Sequence, residues 1–187
     1  MNSAATNKLM DRTGETMEVQ FRRTGVRRYS VTIVRPGLPV LEKSPAPGYD
    51  DLLPHDVIHL IVERVLGLQR GIFGQAAEGG TAGMFYPANS DARTPREASR
   101  QRRSLAKRSD RLLQAGRQDT AASEAATYIA RMAWDARRTS REPKMAGTRT
   151  GPVSAGQLAQ ICNEMDALSA RWISLPMGEV LTVRWTV

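Results

Sequence analysis

Strand-like alternation occupies the two ends of this chain, and helical periodicity fills most of what lies between. Met17-Glu18-Val19-Gln20-Phe21-Arg22-Arg23 alternates apolar and polar residues, the period of a strand with one buried face. Thr24-Gly25 supplies a turn, and Arg28-Tyr29-Ser30-Val31-Thr32-Ile33-Val34 resumes the alternation, which predicts a hairpin. The same period returns at Val180-Leu181-Thr182-Val183-Arg184-Trp185-Thr186-Val187. Half-buried strands far apart in sequence must share one core. The simplest assembly is a small antiparallel sheet in which the C-terminal strand pairs with the N-terminal hairpin, with several helices on one face. The expected fold class is therefore α+β.

The intervening segments carry helix punctuation. Pro54 fits a first helical turn, Asp50 and Asp51 suit the positive end of the helix dipole, and Gly67 is placed as a C-terminal stop. A short second helix is expected at 71–78. Pro95 opens a long basic helix that Gly116 interrupts. Residues 119–138 predict another helix, with Ala122, Ala125, Ala126, Ile129, Met132 and Ala133 as its packing side. Ser154 caps a further helix running to about Ile173, with Leu158, Ile161, Cys162, Met165, Leu168 and Trp172 at helical spacing. Residues 38–41 read as a short strand that Pro39 confines to an edge, and 44–54 and 79–94 read as loops.

Composition narrows the class. At 187 residues, with 41% apolar and 25% charged side chains, the chain is expected to form one α+β domain over 17–187, preceded by a flexible arm at 1–16. No apolar run approaches the ~18–20 residues that span a bilayer, and residues 1–12 lack the apolar stretch of a secretory signal. The single cysteine, Cys162, excludes an intramolecular disulfide and a multi-cysteine zinc site; it reads as a buried small hydrophobe. A cytoplasmic location is the natural expectation.

Both histidines of the chain fall within five residues, His55-Asp56-Val57-Ile58-His59, and Glu63 follows four positions later. On a helix, residues 55, 59 and 63 lie one turn apart and share a polar stripe with Asp56, while Val57, Ile58, Ile61 and Val65 point roughly opposite. Imidazoles at i and i+4 can bind one metal ion, zinc for example, with His55, His59 and Glu63 as candidate ligands. His59, Asp56 and Glu63 are the candidate catalytic groups, with Asp56 or Glu63 as base. Cys162, Asp166, Glu164 or Asp50 are further possible ligands. The plain alternative is a polar helix face with ordinary hydrogen bonds.

The run from Tyr49 to Glu63, which contains Leu53-Pro54-His55-Asp56-Val57-Ile58-His59, together with Gly67-Leu68 and Gly71-Ile72-Phe73-Gly74, resembles a set of uncharacterised bacterial proteins. The resemblance covers about 30 of 187 residues and implies no activity. At the two histidines alone the segment is similar to zincin metalloproteases, although Asp56 stands where those enzymes carry glutamate.

The second lead is charge. The formal net charge is +8, and residues 93–117 carry nine basic side chains against Glu97 and Asp110, a local excess of +7. Arg96, Arg100, Arg103, Lys107 and Arg111 fall at spacings of four, three, four and four, which makes one continuous stripe on a helix. Such a stripe suits a phosphate backbone or an acidic protein surface; its plain alternative is a solvated face. No aromatic residues interleave with the arginines, so base stacking is not indicated. The leading expectation is a binding or regulatory protein that engages an anionic partner, most naturally nucleic acid, through this stripe. The alternative is a metal-binding protein or metal-dependent hydrolase built on the histidine helix.

Overall fold

The computed structural model describes residues 16–47, 51–89, 92–139 and 153–186; all of the expected arm at 1–16 except residue 16, the candidate ligand Asp50, and most of the connection at 139–153 lie outside these. Five strands and five helices follow one another as β1 (Met17–Gly25), β2 (Arg28–Val34), β3 (Leu41–Pro47), α1 (His55–Leu66), α2 (Ile72–Ala77), β4 (Tyr86–Pro87), α3 (Pro95–Ala115), α4 (Arg117–Thr139), α5 (Ala155–Ile173) and β5 (Val180–Trp185). The strands form one antiparallel sheet in the order β4-β3-β2-β1-β5. The fold is α+β, and the C-terminal strand pairs with the N-terminal hairpin as the alternation requires.

Register explains why. Val19 lies opposite Ile33 on one side and Val183 on the other, and Phe21 lies opposite Val31 and Leu181. All six side chains are buried, so the sequence-distant strands contribute to one continuous apolar face. The opposite face carries Gln20, Arg22, Thr32, Thr182 and Arg184 and is half-buried or exposed. This is the one-sided burial that an antiparallel sheet tolerates.

Residues 44–47 depart from expectation. They extend β3 instead of opening a loop, despite Pro45 and Pro47. The short β4 pairs only with Leu41 and Glu42, so among the described residues the remainder of β3 has an open outer edge where a missing N–H breaks no ladder. Leu38 and Pro39, conversely, lie before the strand rather than in it.

Helix α1 sits at the centre. Residues 56 through 63 are all buried, so its polar stripe does not face solvent. The helix ends where Gly67 adopts φ +66°, a left-handed conformation open to glycine, and the Leu68 N–H closes the last turn on the Glu63 carbonyl at 2.8 Å. At its other end Asp56 is tied to the sheet. Lys43 lies opposite Val31 and therefore points into the core, where its Nζ donates to Asp56 Oδ2 at 2.8 Å and Oδ1 at 3.1 Å. The Tyr29 hydroxyl donates to the same carboxylate at 2.9 Å.

Asp56 is buried and Lys43 half-buried, so removing the lysine strands the carboxylate. Lys43→Met is expected to destabilise the protein by about 3–5 kcal/mol in urea unfolding. The double replacement Asp56→Leu with Lys43→Met should recover most of that loss. A single variant within about 1 kcal/mol of the parent would show that the pair is solvated.

Candidate functional site

Two groups of side chains stand out, one buried around α1 and one displayed on α3. The first is a relay of hydrogen bonds. Glu63 Oε1 accepts the Ile72 N–H at 2.7 Å and the Ser123 hydroxyl at 2.9 Å, and Oε2 accepts the Phe73 N–H at 2.9 Å. The carboxylate thus caps α2, whose first amides point at it. Gly71 makes the approach possible: a Cβ there would lie 2.3 Å from Glu63 Cδ.

Ser123 continues the relay. Its one hydroxyl proton goes to Glu63, so its oxygen is an acceptor toward His59 Nδ1, 3.0 Å away. Thr127 Oγ1 lies 3.2 Å from the same nitrogen. His59 therefore carries its proton on Nδ1 and turns the Nε2 lone pair to the side where His55 Nε2 lies at 3.2 Å. The two rings meet edge to face at 4.8 Å. Glu124 Oε2 is 3.8 Å from His59 Nε2 and mostly exposed.

This geometry redistributes the candidate residues. His55 and His59 are brought together, but Glu63 reaches His59 only through Ser123, on the Nδ1 side of the ring. Its oxygens are engaged by amides and a hydroxyl, so it does not meet the histidines around a common ion. Asp56 is engaged on the sheet side by Lys43 and Tyr29. Among the described residues no cluster of three or more His, Cys, Asp or Glu is placed to hold a metal ion. The arrangement holds a neutral imidazole whose Nε2 lone pair meets a second imidazole at 3.2 Å, and its Nδ1–H is fixed in the way metal-binding histidines usually are. Cys162 is buried on the apolar side of α5, and burial raises its thiol pKa, which keeps it protonated and inert.

Ser123, Thr127 and Lys43 are absent from the sequence expectation. The buried side of α4 is Ser123, Ala126, Thr127, Ala130 and Trp134 rather than the alanine-rich face expected. That face is rotated by roughly 100°, about one residue, because the buried His59 and Glu63 need hydroxyl partners and alanines offer none. Ser123 and Thr127 at i and i+4 among small residues are the available sequence signal.

Charge on the relay follows from burial. Burial lowers His59 to about 4, reinforced by His55 and opposed by Asp56. Burial raises Glu63 to about 7, against the pull of the Phe73 and Ile72 amides and Ser123.

The second group is the basic stripe. Helix α3 opens with a capping box: Thr94 accepts the Glu97 N–H at 3.2 Å, and the Glu97 carboxylate accepts the Thr94 N–H at 3.2 Å. Glu97 is thereby occupied at the helix end. The inner side of α3 docks through buried Ser109, whose hydroxyl accepts the Thr81 N–H at 3.2 Å, and through Leu112, which packs over Gly80. Arg96, Arg100, Arg103, Lys107 and Arg111 all lie on the opposite side and are exposed. Among the described residues none of the five forms an ion pair, and Asp110 borders the stripe only near its C-terminal end.

Protonation of the relay sets a measurable pH signature. A folded-state pKa below the unfolded value contributes stability that is present above about 6.5 and lost as pH falls toward about 4. The stability difference between the parent and His59→Gln should therefore shrink by roughly 3 kcal/mol across that window on acidification. Glu63 has the opposite sign: its raised pKa makes the parent lose stability relative to Glu63→Gln as pH rises from about 4.5 to about 7. Chemical unfolding at several pH values reads both, and parallel profiles for parent and variants would contradict the burial of these groups.

Against known proteins the chain matches no family model, no curated protein and no solved structure, so its functional reading rests on this geometry alone.

Proposed function

We propose that this is a cytoplasmic binding protein that engages nucleic acid, chiefly through the phosphate backbone, with the outer face of α3. The observation that carries the reading is the set Arg96, Arg100, Arg103, Lys107 and Arg111, aligned, exposed and without an ion-pair partner among the described residues, on a helix whose other side is docked. From Arg96 to Arg111 the stripe runs about 22 Å at 1.5 Å per residue. Docking matters to affinity, since a helix already folded and oriented spends less entropy on binding than a disordered basic segment. Arginine dominates the stripe, and its fork matches phosphate oxygens in pairs. Contacts of this kind fix position on a duplex without reading bases, so weak sequence preference is expected. No helix among the described residues is long and apolar enough to cross a membrane.

Fluorescence anisotropy with a mixed-sequence duplex tests this. Five phosphate contacts predict a log–log salt slope of about −4.5, and replacing Arg100, Arg103 and Lys107 by Gln should reduce its magnitude by about 2.7. Undetectable binding at low salt, an affinity indifferent to salt, or an unchanged triple variant would contradict the proposal. Binding to polyglutamate in place of DNA or RNA would point instead to an acidic protein partner.

A second reading is favoured by one distance. Two nitrogen ligands of a tetrahedral zinc, each 2.0–2.1 Å from the ion, lie roughly 3.4 Å apart. His55 and His59 Nε2 are 3.2 Å apart before any ion enters. In this reading the pair holds a divalent transition metal, with His59 oriented by Ser123 and Glu124 nearby as a carboxylate on the open side. Elemental analysis of untagged protein should then find about one equivalent of metal, lost in His55→Ala. Metal-free protein that takes up no zinc on dialysis would eliminate it.

A further inference from the structure

A cleft of about 510 Å³ separates the inner side of α3 from the β3–β4 end of the sheet. Its size falls in the range of small-molecule sites. Leu38, Leu41, Pro87, Ala98 and Leu105 give it apolar walls, and Arg35, Arg102 and Arg108 supply guanidinium groups. No carboxylate lines it among the described residues.

Arg35 is the unusual member. It is 5% exposed, a degree of burial at which arginine normally meets a carboxylate. Here its terminal nitrogens donate only to backbone carbonyls, to Ala76 at 2.7 Å, to Gly80 at 3.5 Å and to Pro39, and its buried Nε–H has no hydrogen-bond partner among the described residues. Burial and the neighbouring Arg108 together pull Arg35 down to about 10. A buried cation repelled by a second cation, with one N–H unsatisfied, is a combination that folding alone does not favour. The Arg108 guanidinium is held close by, lying over the backbone of Gly79, where a Cβ would come within 2.7 Å of its Nη1.

We infer that this cleft binds an organic anion with an apolar body: the acid group, a carboxylate or a phosphate monoester, seats among Arg35, Arg102 and Arg108, and the hydrocarbon part lies against Leu38, Leu41 and Leu105. An anion relieves the repulsion between the arginines. The apolar walls discriminate against inorganic ions. The site is separate from the outer stripe of α3, because residues 98, 102, 105 and 108 face inward while 96, 100, 103, 107 and 111 face out. The two can therefore be occupied and mutated independently.

Isothermal titration of the full chain with decanoate, decyl phosphate and decanol tests the inference. Saturable one-to-one binding is expected for the first two, and whichever is tighter identifies the head group. Decanol should bind at least about tenfold more weakly, since a charge-assisted hydrogen bond contributes about 1.5–3 kcal/mol. Arg102→Gln combined with Arg108→Gln removes exposed side chains and should weaken decanoate and decyl phosphate by at least about tenfold with the fold intact. Leu105→Trp should block the cleft to both, and Arg171→Gln, on a distant surface, should change nothing. No saturable binding of either anion, equal affinity for decanol, equal affinity for inorganic phosphate, or an unaltered affinity in the double arginine variant would each overturn it.

Discussion

The constraint on which the rest depends is that α1 is buried on every side and yet carries Asp56, His59 and Glu63. A buried polar group without a partner costs about 1–3 kcal/mol, and a charged one more. Each of the three must therefore be met, and each is met by a different part of the chain. Asp56 is met by Lys43 and Tyr29 on the sheet, His59 by Ser123 and Thr127 on α4, and Glu63 by the first amides of α2 and by Ser123. Apolar packing is tolerant of small rotations and shifts, whereas these bonds are not. They fix the rotation of α4 and the position at which α2 begins.

That fixed frame governs how α3 is presented. The end of α2 and the turn after it supply Gly79, Gly80 and Thr81, on which α3 rests through Arg108, Leu112 and Ser109. Only one narrow side of α3 is consumed by this contact, and buried Ser109 marks its centre. The outer side keeps its cations and the inner side roofs a cleft against the sheet. One helix thus presents two chemically different cationic surfaces, an extended outer stripe and an inner face lining a partly apolar cleft.

Much of the architecture is legible from period alone. Val19, Phe21, Val31, Ile33, Leu181 and Val183 declare a shared sheet face because strand periodicity survives any tertiary context. The ends of α1, α3 and α5 are readable because Gly67, Pro95 and Ser154 are local devices. What period does not convey is which polar residues go inside. Lys43 looks like the solvent face of a loop, and only its register opposite Val31 turns it inward. Arg35 looks like the polar end of a hairpin strand, and only the carbonyls of Pro39, Ala76 and Gly80 give it buried partners. Ser123 and Thr127 are helix-interior hydroxyls whose role depends on His59, 64 and 68 residues away in sequence. The His-Asp-x-x-His spacing correctly unites His55 with His59, but it assigns Glu63 to the same open side, whereas the carboxylate is drawn to the other edge of the imidazole by the start of α2.

The most direct test of the surface reading is an amide chemical-shift map of the isotope-labelled protein titrated with a short DNA duplex at low salt. Perturbations are expected along α3 at Arg96, Arg100, Arg103, Lys107 and Arg111 and their immediate neighbours. The buried amides of α1 and of β1, β2 and β5 should stay still, because the frame beneath the helix does not rearrange. Perturbations centred on His55 and Glu124 instead of α3, or no perturbation at all, would contradict it.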